Sequence, residues 1–140
     1  MDYLDTSVII AVLTDEAATK RVQTWLASRS PEDVHISDWV VTEVSSALSM
    51  KVRTGALTSD LRAAALAFFR QIIAQSLTLL PVTSAHFQAA ARLADQHHLG
   101  LRSGDALHMA LAADIGATLF TLDKRLAEAG KQVGASVHLL

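Results

Sequence analysis

Residues 1–10 read MDYLDTSVII. Tyr3 and Leu4 on one side of Asp5, and Val8, Ile9 and Ile10 on the other, all read as core, so a carboxylate interrupts a stretch that otherwise belongs inside. Burying an unpaired carboxylate is expensive, and a chain that tolerates one normally gives it a partner or a task. The spacing predicts a short strand over Met1–Leu4 and a helix over Ser7–Leu13, with Asp5 at the junction.

Further short apolar runs occur at Val34–Ile36, Leu77–Leu80, Thr118–Phe120 and Val137–Leu139. Between them lie helix-like stretches at Glu16–Ser28, Trp39–Arg53, Ser59–Gln75, Ser84–His97, Gly104–Ile115 and Lys124–Ala129. Strands alternating with helices predict an α/β sandwich with a mostly parallel sheet. Gly55, Gly100, Gly116 and Gly130 fall where helices should stop. In Ser59–Gln75 the residues Leu61, Ala65, Phe68 and Ile72 make an apolar stripe, widened by Phe69 and Ile73, that should face the core or a dimer partner. No repeat or linker-like tract interrupts the pattern, so residues 1–140 are expected to form one domain.

Composition narrows the function. Without cysteine there is no disulfide and no thiolate metal site. Asp2 and Asp5 stand where a signal peptide would carry positive charge, and charges break every apolar run before it could span a bilayer, so the expectation is a soluble cytoplasmic protein. Hydrophobic residues at 51% suggest apolar surface covered by a partner. A net charge of −2 argues against holding nucleic acid by bulk electrostatics alone. If four acids were committed to a cation, however, the remaining balance would be positive, so a nucleic-acid substrate stays open.

Three more acids share the oddity of Asp5. Glu43 lies in SDWVVTEVSSAL (37–48), on or beside the face formed by Val40, Val44, Ala47 and Leu48. Asp105 lies in LRSGDALHMALAAD (101–114), in the first turn of a helix that is apolar nearly all round. Asp123 lies in ATLFTLDKRL (117–126), just past a strand. Each has an ordinary explanation. Asp5 and Asp123 fit helix N-caps, Asp105 fits a partner for a helix dipole, and Glu43 could pair with a neighbouring Arg. Together they say more. Strand C-termini and helix N-termini of an open parallel sheet converge on one edge, and four carboxylates there would repel one another unless a cation neutralised them. A hard divalent cation such as Mg²⁺ takes oxygen ligands and typically works on phosphate esters.

The four segments in this order resemble a PIN domain, the metal-dependent ribonuclease fold, and more narrowly the VapC-type toxins of bacterial toxin–antitoxin pairs. YLDTSVII (3–10) is similar to the family's opening Asp-Thr/Ser-Ser/Asn element and VTEVSSAL (41–48) to its helix-borne Glu. GDALHMALA (104–112) is similar to the third acid with its apolar helix, and LFTLDKRL (119–126) to the strand-ending Thr-x-Asp. No acid of the pattern is missing. The resemblance implies a PIN-like three-layer α/β/α sandwich whose acidic site, Asp5, Glu43, Asp105 and Asp123, binds Mg²⁺, with Mn²⁺ as a substitute. It further implies hydrolysis of RNA phosphodiester bonds by activated water, leaving a 3′-hydroxyl and a 5′-phosphate. Asp5 and Asp105 would be the principal ligands; Glu43 would help place a second metal or the attacking water, and Asp123 would act partly through ordered waters. Thr6 and Ser7 would orient Asp5 and cap the first helix, capping alone accounting for Thr6, and Thr121 would support the site. A cognate VapB-type antitoxin and a homodimer are the implied partners.

Arg102, Lys124 and Arg125 adjoin site acids in sequence and are candidates for holding RNA phosphates, against a plain reading as solvated charge. His108, three residues after Asp105, reads as a packed or hydrogen-bonded histidine, since a hard cation has little use for imidazole. His97 and His98 read as a helix C-terminus, and Trp25 and Trp39 as core. Asp2 and Asp5 do not have the one-residue separation of a haloacid-dehalogenase-like phosphatase, no glycine-rich nucleotide loop is present, and a receiver domain gives no reason for Glu43. The remaining alternatives are a housekeeping PIN-type nuclease without an antitoxin and a non-catalytic PIN-like module that binds RNA or protein.

Overall fold

The computed structural model describes residues 1–140. Its centre is strand β1 (Asp2–Leu4), which pairs in parallel with β2 (Val34–Ser37) on one side and β4 (Thr118–Thr121) on the other. β3 (Thr78–Leu80) adds to β2 and β5 (Val137–Leu139) to β4, both in parallel, giving the order β3-β2-β1-β4-β5. Seven helices flank the sheet: α1 (Thr6–Leu13), α2 (Thr19–Ala27), α3 (Asp38–Arg53), α4 (Ser59–Ser76), α5 (Ser84–Ala94), α6 (Ser103–Asp114) and α7 (Lys124–Gln132). This is a three-layer α/β/α fold with an all-parallel sheet. Because helices cover the sheet, its inner strands are buried on both faces, and all four residues of β2 are buried.

The strand order places a topological switch between β1 and β4. The chain builds outward from β1 through β2 to β3, then returns to lay β4 on the other side of β1. Connections leave the C-terminal ends of these two neighbours toward opposite sides, and a crevice opens there. The β1–β4 ladder runs on to that edge, where the Asp5 backbone N–H donates to the Phe120 carbonyl at 3.2 Å. Seven consecutive residues of α6, Ala106 to Ala112, are buried, all of them apolar but His108.

Three expectations shift. The buried face of α4 is Ala65, Phe69 and Ile72, whereas Leu61 and Phe68 are exposed, so the stripe is turned by about one residue. Phe69, at the margin of the apolar stripe, is as apolar as Leu61 and Phe68, and packing selects its side. The helix α2 starts at Thr19 rather than Glu16, because the Thr19 hydroxyl accepts from the Glu16 N–H and donates to the Thr14 carbonyl, closing a turn ahead of the helix. Gly130 does not stop α7. It lies inside the helix, where a β-carbon would come within 2.4 Å of Val137 Cγ2, and the positive φ belongs to Gly134.

Candidate active site

Four chain segments deliver the four acids to one cavity of about 290 Å³, lined among others by Asp5, Thr6, Ser7, Glu43, Asp105, His108 and Asp123. Asp5 follows β1 directly, Asp123 lies two residues past β4, Asp105 is in the first turn of α6, and Glu43 is in the second turn of α3. The cavity therefore sits at the β1/β4 switch.

Asp5 is buried and held at both oxygens. Its Oδ1 accepts from the Ser7 hydroxyl at 2.6 Å and from the Val8 N–H at 3.2 Å, which makes it the N-cap of α1. Its Oδ2 accepts from the Thr121 hydroxyl, whose oxygen in turn accepts the Asp123 N–H at 2.9 Å. Ser7 likewise accepts from the Leu122 N–H at 2.9 Å, so the ends of β1 and β4 are tied together through this one carboxylate. Burial pushes the Asp5 carboxyl above its ordinary range, more strongly than nearby His108 and the hydrogen bonds from Ser7, Thr121 and Val8 pull it down.

The capping explanation is correct for Asp123 as well, whose Oδ1 accepts from the N–H groups of Arg125 and Leu126 at 2.8 and 3.3 Å. Asp105 reaches back to the Arg102 N–H at 3.2 Å, one half of a capping box. Its carboxyl is also raised, first by burial and then by the neighbouring charge of Asp123, against the pull of the Arg102 N–H.

Glu43 has no arginine partner. Its Oε2 accepts from the Thr6 hydroxyl and from His108 Nε2, the latter at 2.8 Å. Burial alone would raise its carboxyl, but the hydrogen bond from His108, with that from Thr6, brings it below the ordinary value. Capping therefore does not account for Thr6: the cap of α1 is Asp5, and the Thr6 hydroxyl is spent on Glu43. A β-carbon at Gly104 would stand 2.7 Å from Glu43 Oε1, so this carboxylate occupies space that only glycine leaves open.

The donor set is all oxygen, and no lysine or arginine is ion-paired with any of the four acids. Carboxylates such as Asp5 and Asp105, raised by burial and not ion-paired with lysine or arginine, suit a hard divalent cation. The side chains do not form a closed cage, since no three His, Asp or Glu groups converge as a metal-holding cluster. That is compatible with Mg²⁺, which keeps several waters and commonly needs one or two protein carboxylates.

Of the basic residues, Lys124 lines the adjoining hollow with Asp123, Thr6 and Ser7. Arg102 is the residue before α6, and the Arg125 guanidinium leans toward the Gly100 carbonyl at 3.5 Å. Glu16, which lines the same hollow, is ion-paired with Lys51 at 3.0 Å, a contact not anticipated from sequence. Tyr3 and Ser37 were also missed. Tyr3 reads as core, yet its buried hydroxyl needs a partner, and that requirement was the available signal. The partners are Ser37 Oγ at 2.8 Å and His108 Nδ1 at 3.1 Å.

The PIN domain family matches residues 3–132, nearly the whole chain. The chain belongs to the PIN domain family. Among solved structures this PIN domain is similar to FitAcB from Neisseria gonorrhoeae, with 24% identity and a TM-score of 0.76, covering 98% of this chain and 96% of the other. It is similar to VapC20 of Mycobacterium tuberculosis, described as a Sarcin-Ricin loop cleaving toxin, at 21% identity, TM-score 0.74 and coverage of 93% and 95%. A toxin–antitoxin complex from Klebsiella pneumoniae matches at 16% identity and TM-score 0.65, covering 91% of each chain. Identities this low carry the PIN fold and nothing finer. Comparison with curated protein sequences gives no match. No helix of this PIN domain is long and apolar enough to cross a membrane.

Proposed function

We propose that this PIN domain is a divalent-metal-dependent endoribonuclease acting as the toxin of a toxin–antitoxin pair, working in the cytoplasm as one domain over residues 1–140. The observation that carries the reading is the meeting of Asp5, Glu43, Asp105 and Asp123, from four separate segments, in one cavity without a lysine or arginine partner. The toxin assignment draws support from full-length similarity to VapC20 and to the Klebsiella complex. Exposed Leu61, Phe68 and Phe87 offer apolar surface for a VapB-type antitoxin and a second copy to cover.

In this reading Asp5 and Asp105 hold Mg²⁺, or Mn²⁺ in its place, with Glu43 and Asp123 contributing at its edge. The bound cation supplies charge stabilisation at the phosphoryl oxygens and a lower pKa for a coordinated water. Ser7 and Thr121 fix the Asp5 carboxylate, so its oxygens keep their direction when substrate arrives. Glu43, held by Thr6 and His108, orients the attacking water. The water oxygen bonds to phosphorus while the bond to the 3′-oxygen breaks, leaving a 3′-hydroxyl and a 5′-phosphate. Lys124, Arg102 and Arg125 hold flanking phosphates by charge-assisted hydrogen bonds.

The test is cleavage by partner-free protein of a panel of transfer and ribosomal RNAs, with Mg²⁺, with EDTA, and with Asp5→Asn. Discrete products that need both the metal and Asp5 are expected. Folded, partner-free protein that binds these RNAs without cutting any would replace the nuclease by a binding module.

A further inference from the structure

Behind Glu43 lies a line of polar side chains that the reaction itself does not need. Ser37 ends β2, Tyr3 is in β1 and His108 is in α6; Ser37 and Tyr3 are fully buried and His108 is 3% exposed. Ser37 Oγ is 2.8 Å from the Tyr3 hydroxyl, that hydroxyl is 3.1 Å from His108 Nδ1, and His108 Nε2 is 2.8 Å from Glu43 Oε2. Ser37 occupies the N-cap position of α3, yet its side chain makes no cap bond and turns to Tyr3 instead.

We propose that Ser37, Tyr3 and His108 form a buried hydrogen-bond chain that positions the Glu43 carboxylate, with His108 as its positioning residue. Donor and acceptor chemistry gives the chain its direction. A carboxylate only accepts, so His108 Nε2 carries the hydrogen facing Glu43. In the neutral ring Nδ1 then accepts, and the donor available to it is the Tyr3 hydroxyl. The Tyr3 oxygen accepts from Ser37 in turn. Glu43 fixes this tautomer, and Tyr3 supplies the donor that leaves the buried Nδ1 of His108 paired. An apolar trio could fill the same volume without leaving any polar group to satisfy. What these three add is a fixed donor at Nε2. With Thr6 also bonded to Oε2, neither Thr6 nor His108 occupies Oε1.

What Glu43 does once positioned rests on the nuclease reading; the chain itself does not. The experiment compares wild type, Tyr3→Phe, His108→Gln and His108→Leu by ¹⁵N imidazole NMR of the metal-free protein, Mg²⁺ calorimetry and RNA cleavage. Tyr3→Phe removes one oxygen and keeps the ring, so the fold is retained. Expected in wild type is a single Nε2–H tautomer of His108 with Nδ1 hydrogen-bonded, and in Tyr3→Phe the same tautomer with the Nδ1 resonance moved to that of an unbonded ring nitrogen. His108→Leu should lower kcat about tenfold with KM little changed, the scale of lost outer partners at such sites. His108→Gln, whose amide can donate at the Nε2 position, should recover most of that loss. An Nδ1 resonance unchanged in Tyr3→Phe, or full kcat with unchanged Mg²⁺ affinity in His108→Leu, overturns the proposal. If wild type cuts no RNA, the nuclease reading fails, and the NMR and Mg²⁺ arms still decide the chain.

Discussion

At the scale of single residues, Gly104 separates folding from function. An alanine in the first turn of α6 gains helix propensity, up to about 1 kcal/mol over glycine. Its β-carbon, however, would stand 2.7 Å from Glu43 Oε1, and that carboxylate is held on its other oxygen by Thr6 and His108. The side chain must swing, and the bonds that fix it must break. Gly104→Ala should therefore melt within about 1 kcal/mol of wild type while RNA cleavage falls at least tenfold, the cost of misplacing a group near the reacting atoms. Melting together with cleavage kinetics checks this; full activity would show that Glu43 does not need its place. The acids themselves were readable because a carboxylate among apolar residues is conspicuous, as with Asp5 between Leu4 and Val8. Tyr3 and Ser37 were not, because a tyrosine in an apolar strand and a serine before a helix are ordinary until their partners are known. Those partners lie 34 and 105 residues away from Tyr3, a distance no local pattern spans.

At the scale of elements, α7 and β5 show where local signals give out. A glycine at 130 reads as a helix stop because glycine commonly ends helices, and nothing local says that Val137 will lie against it. The helix continues because Val137 of β5 packs onto the space where a side chain would be. Gly130→Ala should consequently destabilise in spite of its better propensity, since Val137 Cγ2 at 2.4 Å must be displaced and overpacking costs about 1–3 kcal/mol. Adding Val137→Ala removes the offending methyls, so the double variant should be more stable than additivity allows. Urea melts of the four proteins measure that coupling, and strict additivity would mean that the two elements do not meet as described. The alternation of strands and helices was visible from sequence because short apolar runs such as Thr118–Phe120 are separated by longer helix-forming stretches such as Ser59–Gln75. The choice of buried face on α4 was not, since Leu61 and Phe68 are as apolar as Phe69 and only the packed neighbours decide between them.

At the scale of the whole molecule, the fold draws several acids to one edge of the sheet, and its stability should report their charge. Asp5 and Asp105 have carboxyls raised above their ordinary 3.8, Asp5 chiefly by burial and Asp105 by burial and then by Asp123. The folded state then holds their protons more tightly than the unfolded chain does. Their contribution is favourable below the ordinary carboxylate range and is lost as pH rises from there through the raised values. Glu43 has the opposite sign: it stabilises above its ordinary 4.5, against its own burial, through His108 and Thr6, and that contribution is lost as pH falls through its lowered value. With two raised groups against one lowered, the metal-free protein should lose Tm as pH rises from about 4 toward neutrality. Asp5→Asn should flatten that decline, because an amide keeps the cap to Val8 and carries no charge to desolvate. A cation that binds only the folded state reverses the loss. At a hundredfold excess over Kd it adds about 2.7 kcal/mol, which for a chain of this size is a Tm rise of roughly 5–10 °C. The same Mg²⁺ should leave Asp5→Asn nearly unmoved. Calorimetric melts across pH, with Mg²⁺ and with EDTA, read all of these at once. If millimolar Mg²⁺ shifts nothing and Asp5→Asn melts as wild type at every pH, the four carboxylates are caps and hydrogen-bond acceptors only, and the metal reading falls while the fold stands.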